Sequence, residues 1–115
     1  MTLTITPEQI IEATVGESIF AELSFLAWLQ SHPGQSVSTV TWTSAETSLA
    51  TKDAGTDAVF TSQQGTNAGV SSDAVRAKFT MVAAGLCTVY ATATLTNPSE
   101  TKIGIRQFNI NAIPT

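Results

Sequence analysis

Few side chains in this sequence could carry chemistry. His32 is the only histidine and Cys87 the only cysteine. A nucleophilic triad needs a base beside its nucleophile, and the one base on offer lies between Ser31 and Pro33, where it reads as a solvated turn residue rather than a catalytic group. A structural zinc site takes three or four Cys or His ligands, more than the chain possesses. Asp53, Asp57 and Asp73 could gather oxygens for calcium around one long loop, but their spacing fits no EF-hand and they read as ordinary solvated loop acids. No Gly-rich loop is placed to cradle a phosphate, and nothing indicates the cleft with a raised carboxyl pKa that glycoside hydrolysis requires. The chain is therefore read as a non-enzyme, with no catalytic residue, no metal and no cofactor.

Recognition chemistry is better represented. Phe25, Trp28 and Leu29 are spaced i, i+3, i+4, which aligns them on a short helical turn near residues 25–31, before Pro33 and Gly34 end it. Leu26, Trp28 and Leu29 form an apolar cluster with two readings. Either Trp28 plugs the open end of the fold, or it anchors another subunit, since Trp is enriched in desolvated interface anchors. Tyr90, facing outward among threonines, offers a second contact face, although Thr rows are also how a sheet keeps one side wet.

The elements that must position these groups are strands. Of 115 residues only 12% are charged, while Thr occurs 19 times and Ser 11 times. Thr is β-branched and fits a half-exposed pleated face, so this composition favours sheet over helix. The net charge is −4, and the five basic residues are scattered, which supplies no stripe for phosphate neutralisation and argues against nucleic-acid partners. No apolar run is long enough to span a bilayer and no basic segment precedes an apolar one, so a protein made and kept in the cytosol, away from membranes, is expected. The lone cysteine permits no intrachain disulfide.

Alternation places the strands. Ile19, Ala21, Leu23 and Phe25 share one face, with Phe20 and Leu26 breaking the polarity of the other; Val40 and Trp42 point inward between Thr39, Thr41 and Thr43. Val75, Ala77, Phe79 and Met81 mark another strand. Cys87, Val89, Ala91, Ala93 and Leu95 mark the cleanest of all, with Cys87 as a small buried hydrophobe. Trp42, Phe79, Cys87, Val89 and Ala91 are the expected core. Leu3 and Ile5, and then Ile11, Ala13 and Val15, give shorter runs separated by Pro7, which suits an edge or a strand switch. Residues 52–69 read mostly as loop, with a brief strand at Val59 and Phe60 and a short one before it at Leu49 and Ala50. Asn97 and Pro98 signal a turn. In the last strand, Lys102 to Ala112, the apolar parity shifts from Ile103 and Ile105 to Phe108 and Ile110, which predicts a bulge near Arg106 and Gln107. About seven strands without a long amphipathic helix predict one all-β domain over 1–115, an antiparallel two-sheet sandwich.

With the strands placed, the chain resembles the bacterial immunoglobulin-like domains of intimin-type and invasin-type adhesins and of tailed-phage virion proteins. The segments that carry the resemblance are TLTITP at 2–7, Val15-Gly16-Glu17, Val40-Thr41-Trp42-Thr43-Ser44, Leu49-Ala50-Thr51, and Gly85 followed by TVYATATL. Two stretches depart from the pattern, Ala27 to Ser36 and Asp53 to Ser72, and extra loops are where partner-specific surface sits. The resemblance implies an immunoglobulin-like fold and, for a single domain of this size, a virion structural protein: most directly a capsid decoration or cement protein bound across copies of a phage major capsid protein. A tail, neck or baseplate component is the first alternative, and a carbohydrate-binding or host-adhesion module the second. Partners would be virion subunits, with homo-oligomerisation possible.

Overall fold

The computed structural model describes residues 2–5, 10–96 and 99–114. The chain runs β1 (Thr2–Ile5), β2 (Ile11–Thr14), β3 (Ser18–Ser24), α1 (Leu26–Gln30), β4 (Val37–Ser44), β5 (Ala50–Lys52), β6 (Ala58–Phe60), α2 (Gln63–Ala68), β7 (Ala74–Met81), β8 (Gly85–Leu95) and β9 (Thr101–Asn111). Two sheets face each other as an immunoglobulin-like β-sandwich. One has the order β1-β9-β8-β4, with β2 also on β9; the other has β3-β7-β5, with β6 also on β7.

Among the described residues, nine strand segments occupy seven strand positions. β1 and β2 lie end to end along β9, and β5 and β6 lie end to end along β7, the latter pair forming one edge strand interrupted midway. The interruption shortens the continuous edge that a foreign strand could pair with. All neighbours are antiparallel except β1 and β2, which run parallel to β9. Pro7, expected at this edge, and the Asn97-Pro98 turn lie outside the described residues.

The centre of the sandwich follows from alternation. Val75, Ala77, Phe79 and Met81 of β7 and Cys87, Val89, Ala91, Ala93 and Leu95 of β8 are all buried, as a period of two requires when one face meets a core. Phe79 links the aromatic centre, meeting Trp42 of β4 edge-on at 6.0 Å between ring centroids and Phe108 of β9 at 5.7 Å. Each such pair adds roughly 0.5–1.5 kcal/mol beyond area burial. Trp42 is wholly buried, and its indole Nε1 has no hydrogen-bond partner among the described residues.

β9 departs from the sequence expectation. Its pairing with β8 is continuous from Gly85↔Ile110 to Thr94↔Thr101, so there is no bulge at Arg106 and Gln107 and no change of parity. Lys102, Gly104, Phe108 and Ile110 are buried, while Ile103 and Ile105 lie on the outer face, half-exposed. The apolar pattern misleads because inward positions here carry a lysine and a glycine. Gly104 faces Leu23 of the opposite sheet so closely that a Cβ would lie 1.8 Å from Leu23 Cδ2. The irregularity in this sheet falls instead in β4, where the register shifts between Val37 and Thr39. The stretch 52–69 also differs from the expected loop, because it contains α2.

Candidate functional site

The helical parts of both insertions meet at one pole of the sandwich, where β3 ends, β7 begins, β8 ends and β9 begins. α1 forms over Leu26–Gln30, stops before Pro33, and leaves Gly34 at φ +90° in the following turn. α2 is bounded by an N-cap serine, Ser62, whose Oγ accepts from the Gly65 amide at 2.9 Å, and by Gly69 in the left-handed conformation at its C-cap. These are ordinary cap chemistries.

Asp73 joins the two helices. It is fully buried. Its Oδ2 accepts from the Ser24 hydroxyl at 2.7 Å and the Ser62 hydroxyl at 2.6 Å, while Oδ1 accepts from the Ser62 amide at 2.8 Å. Ser24 Oγ in turn accepts from the Leu26 amide at 3.1 Å, at the start of α1. Burial by itself would raise the carboxyl pKa; the Ser62 and Ser24 hydroxyls and the Ser62 amide outweigh it and hold the group below the usual carboxylate range. Gly65 leaves room for this arrangement, since a Cβ there would lie 2.3 Å from Asp73 Oδ1. The preceding Ser72 has φ +51°, a left-handed conformation that costs a non-glycine residue roughly 1–2 kcal/mol. Its amide donates to Thr61 Oγ1 at 2.9 Å and its carbonyl accepts from the Val37 amide at 3.0 Å, which fixes the bend in place.

Trp28 stacks on His32 with 3.8 Å between ring centroids and 9° between planes, and the Lys102 ammonium lies 3.7 Å from the Trp28 centroid. Lys102 is 1% exposed. Burial lowers its pKa, opposed by the Glu100 carboxylate. Half-buried Trp28 thus covers a buried cation at the end of the sandwich. Of the apolar cluster expected to contact partners, Leu29 belongs to the core at 2% exposed, because its i, i+4 spacing turns it inward with Phe25. Leu26 is half-buried and lines a cleft of about 320 Å³ with Ala27, Gln30 and Gln64. A larger cleft, of about 570 Å³, lies between the insertions and is lined by Leu29, Gln30, Gln35, Ser36, Val70 and Ser71 among others, with no charged side chain.

The remaining candidates are dispersed. Asp53 Oδ1 accepts from the Thr80 hydroxyl at 2.6 Å. Asp57 accepts from the Trp42 amide at 3.0 Å and pairs with Lys52 at 2.8 Å, covering the edge of β4. With Asp73 they are structural acceptors in three separate places rather than solvated loop acids, and no group of three or more potential metal ligands occurs among the described residues. Cys87 is buried, with Ser44 Oγ at 3.4 Å from its sulfur.

Tyr90 is half-buried in the outer face of the larger sheet, between Thr43 and Ile105. Successive rows read Thr39-Thr94-Thr101, Thr41-Thr92-Ile103 and Thr43-Tyr90-Ile105 across β4, β8 and β9. The outer face of the smaller sheet is different in kind. There the Arg76 guanidinium lies 4.9 Å from the Phe20 ring centroid and 5.3 Å from that of Phe60, with Glu22 3.8 Å from its Nη1.

No protein-family model matches the chain, and no curated protein does. Solved structures do. The crystal structure of domains 4 and 5 of the S-layer protein SbsC superposes with a TM-score of 0.54 at 16% identity, over 90% of this chain and 42% of that one. Domains 4–9 of the same surface layer protein give a TM-score of 0.56 at 16% identity, over 93% of this chain and 13% of that one. The chain therefore spans less than half the length of the solved chains it matches, and at this identity the likeness is one of fold.

Proposed function

We propose that this domain is a non-enzymatic structural protein that acts by adhesion to a protein shell, and specifically that it decorates a tailed-phage capsid, bridging major capsid protein subunits in the virion. The observation that carries the reading is the Asp73 hub. The most reactive-looking grouping in the chain, a buried carboxylate beside two serine hydroxyls, is wholly engaged in fixing two short helices as a rigid cap. Such a cap presents uncharged clefts on a preformed surface, so little ordering entropy is lost on contact. Many copies on a shell multiply modest contacts.

Purified domain should co-sediment with expanded capsids in high copy. Ala27→Arg, at an exposed position of α1 beside the cleft, should abolish that binding while leaving the fold intact. Absence of capsid binding overturns the decoration reading, and a few copies confined to the tail would transfer the protein to the alternative expected there. A second reading, a repeating unit of a cell-surface layer, is favoured by the fold likeness to S-layer domains. It predicts ordered two-dimensional assembly on cell-wall fragments.

A further inference from the structure

The outer face of the larger sheet carries no charged side chain on β4, β8 or β9, although the chain as a whole has net charge −4. On the flanking β2, Glu12 accepts from Asn109 Nδ2 at 3.1 Å. Within the rows, the hydroxyls of Thr39, Thr41, Thr43, Tyr90 and Thr92 have no hydrogen-bond partner among the described residues. From these observations we infer that the face is a self-association surface, and that its occupant is the same face of a second copy of this chain.

Three arguments select a second copy. A hydroxyl both donates and accepts, so a face made of hydroxyls is complementary to itself, as a two-fold interface requires and a face of one charge sign cannot be. Two copies of an acidic protein carry a net mutual repulsion, and this face lets them approach without a like-charge pair. The size is also appropriate. β8 and β9, of 11 residues, extend about 37 Å and the eight-residue β4 about 27 Å, so the three strands offer roughly 500 Å² per copy, in the size range of weak, reversible interfaces. Two such faces pack as aligned sheets about 10 Å apart, with Tyr90 and Thr92 near the two-fold axis. The opposite sheet is a poor rival, because its arginine, glutamate and phenylalanines already engage one another.

Sedimentation velocity on the full chain, from micromolar to millimolar concentration, tests the inference. A reversible monomer–dimer equilibrium is expected, and it should hold or strengthen as salt rises, because salt screens the net repulsion. Thr92→Lys places like charges across the axis and should raise the dimer dissociation constant by roughly tenfold or more, with the thermal melt of the monomer unchanged. Mixing Thr92→Lys with Thr92→Asp should restore dimers as a heteropair. A strictly monomeric protein, dimers that weaken with salt, or dimers indifferent to Thr92→Lys would each overturn the inference. Retention of the monomer on a glycan array, lost on Tyr90→Ala, would assign the face to carbohydrate instead. Shell adhesion is read separately through Ala27→Arg, so either result can fail without the other.

Discussion

The middle of the sandwich and its helical cap are held together in opposite ways. The middle is aromatic and aliphatic, with Phe79 meeting both Trp42 and Phe108 and all three fully buried. Its cohesion is apolar, grows with area, and is indifferent to pH. The cap is polar and directional, and one carboxylate positions two helices through bonds of 2.6–2.8 Å. Removing a partner from such a site leaves buried donors unsatisfied, so its cost is concentrated in a few atoms. A sheet buries a continuous face, whereas helices of five and six residues are too short to stand on their own propensity and need fixed points.

The contrast can be broken at its strongest point first. Trp42→Ala should cost about 3–5 kcal/mol, equally at acid and neutral pH, and be visible as a large loss in denaturant midpoint. A pH-dependent loss would mean that the middle is not purely apolar. Asp73→Ala should cost roughly 2–4 kcal/mol by stranding the Ser24 and Ser62 donors. The sign of its pH dependence is fixed by the lowered carboxyl pKa. Stability from Asp73 is present above the unfolded value of about 3.9 and is lost as pH falls through the lower folded value. The wild-type melt should therefore lose an acid-labile component that Asp73→Ala lacks; parallel acid profiles would remove Asp73 from its role. Trp28→Ala should cost about 2 kcal/mol, less than a fully buried tryptophan, because one side of the ring is covered by Lys102 and the other by exposed His32. An unchanged melt with lost assembly would make Trp28 an anchor instead of a lid. His32→Ala, which removes only the outer half of that stack, should shift stability by under about 1 kcal/mol.

Much of the middle was legible because alternation with a period of two is a direct record of burial. β7 and β8, the expected core residues and the short helix after Phe25 all appear where their patterns place them. β9 was harder, since Lys102 and Gly104 occupy inward positions for reasons that lie elsewhere in the chain: Trp28 covers the one and Leu23 fills the space above the other. Such contacts across 74 and 81 positions leave no local periodicity. α2 did carry a local signal, Ser62 as cap and Gly69 as stop, but its six residues offer too little apolar pattern to stand out from a loop. The Asp73 hub was invisible for a related reason. It is assembled from Ser24, Ser62 and Asp73 on three segments, and each taken alone is an unremarkable polar residue.

The parallel edge has a mechanical consequence. Because β1 and β2 run alongside β9 in the same direction, Thr2 sits at the capped pole and Asn111 at the opposite one, on a body 51 Å long. Tension applied at these two positions slides one strand past the other and loads the ladder bonds together in shear, instead of peeling them open one at a time. The domain should thus resist stretching along its length better than across it. In single-molecule pulling, attachment at residues 2 and 111 should give a higher unfolding force than attachment through exposed Thr41 of β4 and Glu12 of β2, and the reverse order would show that the edge does not bear the load.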